Sequence, residues 1–135
     1  MNNDSLRKAL ETIKELDSLY DTDNIIVIGQ LCNKLSNLSV GLGKQMTDAD
    51  KLFNQLKDEY ENLVENKKLE LIESGVGVGK AESQAKVQYY QQRKDYRIAE
   101  HGYEQLKTFL SRIDKVLDSN KQYASTVKST NLKGI

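Results

Sequence analysis

An all-α chain of four helices, the last of them long, is the fold class that three features of the sequence predict. The 135 residues contain no proline, so nothing in the chain forbids continuous helix. Charged residues make up 30% and hydrophobic residues only 38%, a balance that fits narrow helical stripes doing the burying. From Lys80 to about Ser129, residues recur at alternating steps of three and four: Ala85, Tyr89, Gln92, Tyr96, Ala99, Tyr103, Leu106, Leu110, Ile113, Leu117, Asn120, Ala124 and Val127. A 3.5-residue repeat of that length marks one helix whose seam faces a partner helix. Its roughly 48 residues span about 70 Å at 1.5 Å per residue, more than a compact globule of this size is wide. An elongated or oligomeric protein is expected, built as one helical domain over residues 1–135.

Taken in order, Asn3 or Asp4 can cap a first helix that places Leu6, Ala9, Leu10, Ile13, Leu16 and Tyr20 on one face. The turn cluster Asp21-Thr22-Asp23-Asn24 then caps a second helix bearing Ile25, Ile28, Leu31, Cys32, Leu35, Leu38 and Leu42. Ile25-Ile26-Val27-Ile28 alone reads as a strand, but the continuation to Leu42 decides for helix. Gly41 and Gly43 are expected to stop it. A third helix opens at Thr47, with Asp50 completing a capping-box-like start, and carries Leu52, Phe53, Leu56, Tyr60, Leu63, Val64, Leu69, Leu71 and Ile72 to Ser74.

Ser74-Gly75-Val76-Gly77-Val78-Gly79-Lys80 is the glycine-rich segment. A phosphate-binding loop aligned on Gly79-Lys80 needs glycine at position 74 and Ser or Thr at 81, where the chain has Ser74 and Ala81, and no strand precedes it. The dinucleotide fingerprint fails in the same way. The expected role of residues 75–79 is a hinge that reverses the chain, its glycines supplying positive φ. The long helix follows over 80–129, and residues 130–135 form a frayed tail.

The formal net charge is zero, yet it divides unevenly: residues 1–74 carry nine Lys or Arg against fourteen Asp or Glu, and residues 75–135 carry eleven against six. The acidic and basic halves either complement each other, within a hairpin or between subunits, or the basic helix offers itself to a polyanion.

Little here is built for catalysis. Cys32 lies in an apolar stripe and reads as an inert buried thiol. His101, the one histidine, sits opposite the seam with no converging second ligand or nucleophile. No cofactor, metal or catalytic residue is expected. No run of about 18 consecutive apolar residues is present, and the Met-Asn-Asn-Asp start is no signal peptide, so a cytoplasmic protein without membrane contact is expected.

The strongest binding feature is the first third of the long helix, where Lys86, Tyr89, Tyr90, Arg93, Lys94, Tyr96, Arg97 and Tyr103 interleave aromatics with positive charge. Lys and Arg neutralise phosphates while unstacked bases lie on tyrosine rings or guanidinium planes, which is how single strands are held without sequence preference. Tyr89, Tyr96 and Tyr103 fall seven apart on the seam and read first as packing residues. Tyr90, Arg93, Lys94 and Arg97 lie off it. Further along, Tyr103, Leu106, Leu110, Ile113, Leu117 and Asn120 are the expected assembly surface of a homo-oligomer, with Gln92 and Asn120 fixing register by pairing with their copies.

In two stretches the chain resembles the small helical phage recombination mediators of the UvsY type. One is the Lys- and Glu-rich Asn66-Lys67-Lys68-Leu69-Glu70-Leu71-Ile72-Glu73-Ser74-Gly75; the other is Tyr103-Glu104-Gln105-Leu106-Lys107-Thr108-Phe109-Leu110, followed by Ile113, Val116, Leu117 and the polar Ser119-Asn120-Lys121. The resemblance spans about residues 50–128 and is one of residue types. It implies an oligomeric, non-enzymatic protein of the phage-infected cell that binds single-stranded DNA and helps a recombinase replace a single-strand-binding protein. Lys67, Lys68 and Lys80 match that family's basic DNA-contacting region by position. The alternating glycines and the acidic N-terminal half depart from the family's pattern. The alternative is a coiled-coil structural or protein-interaction module, such as a phage assembly component or an inhibitor of a host protein, with no nucleic-acid binding.

Overall fold

The computed structural model describes the backbone of residues 3–19 and 25–133 and the side chains of residues 4–19 and 25–121. Tyr20, the turn cluster at 21–24, and the side chains of Ala124 and Val127 lie outside the described residues. The described chain is all-α: α1 (Asn3–Ser18), α2 (Ile25–Glu73), α3 (Val78–Gln88) and α4 (Tyr90–Lys133), with no strand among the described residues. The number of helices is the expected one, but two of the boundaries fall elsewhere.

The first difference is α2, which runs unbroken where two helices are expected. Gly41 and Gly43 do not end it, and Thr47 lies inside it rather than capping a new helix. Glycine in a helix interior costs only about 1 kcal/mol relative to alanine, and burial on both sides of the pair offsets that. Leu35 and Leu42 are fully buried before and at the pair, and Tyr60 and Val64 are buried beyond it. The second difference is a one-residue interruption at Tyr89 (φ −103°, ψ 30°) that splits the expected 80–129 helix into α3 and α4. The ladder passes through it: the Tyr89 N–H donates to the Ala85 carbonyl at 3.2 Å, and the Arg93 N–H to that of Tyr89 at 3.1 Å. Ala81 and Ala85, both fully buried, bring α3 close to its neighbour, and the bulky Tyr89 comes next on the same face. α4 then continues past Ser129 to Lys133, so most of the expected frayed tail is helical.

The turn between α2 and α3 is a defined glycine cap. The Gly75 N–H donates to the Ile72 carbonyl and the Val76 N–H to the Leu71 carbonyl, both at 3.0 Å, which is the paired bonding of a Schellman motif. Gly75 has φ +97° and is the position where the turn requires glycine. Gly77 instead precedes α3 in extended conformation, and Gly79 lies within α3, so the expectation of several positive-φ glycines reduces to one. Gly75→Ala is expected to destabilise the protein by about 1–2 kcal/mol, read by urea denaturation, because an L-residue is strained in that region. The same change at Gly79 is expected to stabilise by a few tenths up to about 1 kcal/mol.

The chain divides into two compact units, Met1–Met46 with Leu106–Ile135, and Thr47–Gln105. In the first, α1 contributes Ala9, Ile13 and Leu16, α2 contributes Ile28, Leu35 and Leu42, and α4 contributes Leu106, Ile113, Leu117 and Asn120, all buried. Seven-residue spacing on α2 and on α4 keeps one stripe of each helix turned inward. Thr12, buried among them, donates its hydroxyl to the Lys8 carbonyl at 2.7 Å and so leaves no unmet donor. An 18-residue window of α2 near its start is apolar enough to cross a membrane by length and composition. That stretch also carries exposed Gln30, Asn33, Lys34 and Asn37 on the side away from Ile28, Leu35 and Leu42, the pattern of a bundle helix.

In the second unit, Tyr60 and Val64 of α2 pack with Ala85 of α3, and Tyr89 and Tyr96 close over them. This is the hairpin expected between the third and fourth helices.

Candidate nucleic-acid interface

Over its first turns, α4 turns aromatic side chains inward and basic ones outward. Tyr96 and Tyr103 turn inward: Tyr96 stands 5.3 Å from Tyr60 and 6.4 Å from Phe53, ring centre to ring centre, and Tyr103 stacks on Phe53 at 6.4 Å with planes only 12° apart. Such offset aromatic pairs add about 0.5–1.5 kcal/mol beyond area burial. Lys57 lies over the Phe53 ring, its Nζ 5.9 Å from the ring centre. These tyrosines are therefore packing residues, as the seam spacing predicts, and are not available as platforms for bases.

Opposite them, Tyr90, Arg93, Lys94, Arg97, Ile98 and His101 line one shallow depression. The spacing accounts for it, since steps of three and four put these positions within one sector of the helix surface. Tyr90 is 62% exposed and Ile98 63% exposed, so a polar ring and an aliphatic chain stand in water beside three cations. Among the described residues, no carboxylate lies within ion-pairing distance of Arg93, Lys94 or Arg97. Ile98 and His101 line the depression beside the four residues that the sequence points to. The signal for them is the continuation of the same spacing, 94 to 98 and 97 to 101.

The other four expected contact residues are differently placed. Lys67 pairs with Glu70 at 3.3 Å, and Lys86 pairs with Glu82 at 3.2 Å. The hydrogen bond from Lys86, with the charges of Lys86 and Lys68 behind it, holds the Glu82 carboxyl below its ordinary range. Lys67, Lys68 and Lys86 thus already face carboxylates around the hairpin end, whereas Lys80 in the first turn of α3 is exposed and makes no ion pair among the described residues. The structure gathers Tyr90, Arg93, Lys94 and Arg97 into one surface and leaves Lys67, Lys68, Lys80 and Lys86 outside that depression.

The residues of the expected assembly surface lie largely inside the chain's own units. Leu106, Ile113, Leu117 and Asn120 are core residues of the chain's own first unit, Leu110 is half-buried, and Tyr103 is taken up by Phe53. A 3.5-residue seam requires a facing helix, and the chain supplies that helix itself. Gln92 is exposed rather than on the seam, because the interruption at Tyr89 passes the inward face directly from Tyr89 to Tyr96. Asn120, 2% exposed, donates its Nδ2 to the Val116 carbonyl of its own helix at 2.8 Å. Asn120→Ala is accordingly expected to cost about 1 kcal/mol in denaturation experiments, the worth of one neutral hydrogen bond, and to leave the sedimentation behaviour unchanged.

Cys32 is half-buried in the first unit, where burial pushes its thiol above the ordinary value against the opposing pull of the Lys121 charge. Such a thiol is a poor nucleophile, in line with the reading of an inert residue. Among the described residues, no group of three or more His, Cys, Asp or Glu side chains is placed to hold a metal ion. Comparison with known protein families, with characterised proteins and with solved structures yields no match to this chain.

Proposed function

We propose that this protein is a non-enzymatic accessory protein that binds single-stranded DNA through the outward face of α4. The observation that carries the reading is the surface formed by Tyr90, Arg93, Lys94 and Arg97: three cations without carboxylate partners among the described residues, beside an exposed aromatic ring on one helix. Each cation placed against a phosphate releases a counterion, and a ring with a free face accepts a splayed base. A duplex, with its bases stacked inside, gains nothing from Tyr90. What the likeness to UvsY-type mediators adds is the task, assisting a recombinase as it replaces a single-strand-binding protein. Lys80 extends the positive surface towards the start of α3.

Fluorescence anisotropy of a labelled single-stranded oligonucleotide, titrated at low and near-physiological salt with duplex competitor, tests the proposal. Expected is preference for the single strand and affinity that falls as salt rises. No binding at low salt would overturn it, and α4 would then be read as part of a protein-interaction module.

A further inference from the structure

The second unit carries two exposed stripes of opposite charge. On α4 it is Arg93, Lys94 and Arg97, flanked by exposed Tyr90 and Ile98. On α2 it is Asp58, Glu61 and Glu65, exposed like the neighbouring Leu69 and without an ion pair among the described residues. The stripes are matched in length, about three helical turns each, from Asp58 to Leu69 and from Tyr90 to His101. Each also offers an exposed aliphatic residue, Leu69 on one and Ile98 on the other. The hairpin does not bring them together. Both lie on the sides of their helices turned away from the Tyr60, Val64 and Ala85 cluster, and the ion pairs within the unit run along single helices.

From this we infer that the basic stripe of one copy docks on the acidic stripe of a second copy. Charge complementarity chooses the occupant, and the apolar residues in each stripe supply the contact that exposed ion pairs alone do not. Because the stripes face away from a shared seam, two copies cannot exchange both with each other. The contact is heterologous, so association proceeds head to tail and grows with concentration. It is also salt-sensitive, since exposed charges are screened within about 8 Å at physiological ionic strength. The inference stands on protein surfaces alone; only its consequence, that a polyanion competes with self-association for Arg93, Lys94 and Arg97, rests on the proposed function.

Sedimentation of the full chain, without nucleic acid, is the test. At low salt the weight-average mass is expected to rise at least about twofold above the 15.4 kDa of one chain as concentration increases, and to fall back at near-physiological salt. Two charge-reversed proteins are then compared, one with Arg93→Glu, Lys94→Glu and Arg97→Glu, the other with Asp58→Lys, Glu61→Lys and Glu65→Lys. Each alone is expected to stay a single chain with unchanged helix content by circular dichroism, and an equal mixture to associate again. Should either reversed protein fail to fold, the corresponding alanine variants are used, with loss of association as the readout. A wild-type chain that does not associate at low salt, reversed variants that still do, or a mixture that stays dispersed would overturn the inference. Loss of oligonucleotide binding in separate titrations bears on the DNA reading and leaves this one untouched.

Discussion

Leu35→Ala is expected to lower the stability of the unit formed by residues 1–46 and 106–135 by about 2–5 kcal/mol, more than the loss of any one cap, hydrogen bond or exposed side chain in this protein. Leu35 is fully buried in the middle of the α2 stripe, between Ile28 and Leu42, and the inward face of α4 supplies Leu106, Ile113 and Leu117 to the same core. Truncation removes three carbons' worth of transfer free energy and leaves a cavity that helices on either side cannot close without shifting. Leu52→Ala is the control. Leu52 is also on α2 and is an apolar residue of the expected third helix, yet it is 51% exposed, so its truncation is expected to stay within about 0.5 kcal/mol of the parent. Urea denaturation followed by circular dichroism measures both. Similar losses at the two positions would mean that the inward face of α2 is wrongly identified.

The second large effect concerns affinity rather than stability. Replacing Arg93, Lys94 and Arg97 together with alanine is expected to weaken single-strand binding on the order of tenfold to a hundredfold at low salt, and to flatten the slope of log affinity against log salt by about 2. The slope is the sharper readout. Three lost phosphate contacts remove about 0.7 each for single-stranded DNA, whereas a merely misfolded protein loses affinity without a proportionate change in slope. All three side chains are exposed and, among the described residues, unpaired by carboxylates, so helicity and thermal stability are expected to hold. A parallel Lys67→Ala, Lys68→Ala and Lys86→Ala variant is expected to do less, because Glu70 and Glu82 already occupy two of these lysines and Lys68 lies within the field of Glu82. Equal effects of the two triple variants would place the binding surface at the hairpin end.

The sequence makes the fold class and much of the α4 surface legible, and the reasons differ. Helical periodicity is local, so Tyr90, Arg93, Lys94 and Arg97 can be put on one face and Tyr96 and Tyr103 on the other from spacing alone. The Gly75 cap is equally local, being encoded in where a helix must stop. What escapes such reading is set by distant partners. Gly41 and Gly43 look like stop signals until the burial of Leu35 and Leu42 against other segments outweighs them. The seam from Leu106 to Asn120 announces that a helix faces it, but nothing in its own residues says whether that helix belongs to the same chain. Asn120 shows the ambiguity most plainly, since a buried amide on a seam fits pairing with a copy as well as it fits the back-bond to Val116 that it makes. Gln92 departs from its expected place for a subtler reason: a strict three-four rhythm carried through Tyr89 ignores the crowding of a large ring after two buried alanines.

The order in which the two units occupy the chain bears on how the protein folds. Residues 47–105 are contiguous and close on themselves through the Gly75 turn, whereas the other unit joins residues 1–46 to residues 106–135 across them. For an unformed chain, meeting those two segments closes a long loop against its configurational entropy. Once the hairpin exists, that loop is already spanned by ordered helix, and the remaining search is short. Local contacts are made before distant ones when closure is what limits the rate. A single left-handed glycine between two helices is therefore also the residue on which the early closing of the contiguous unit depends.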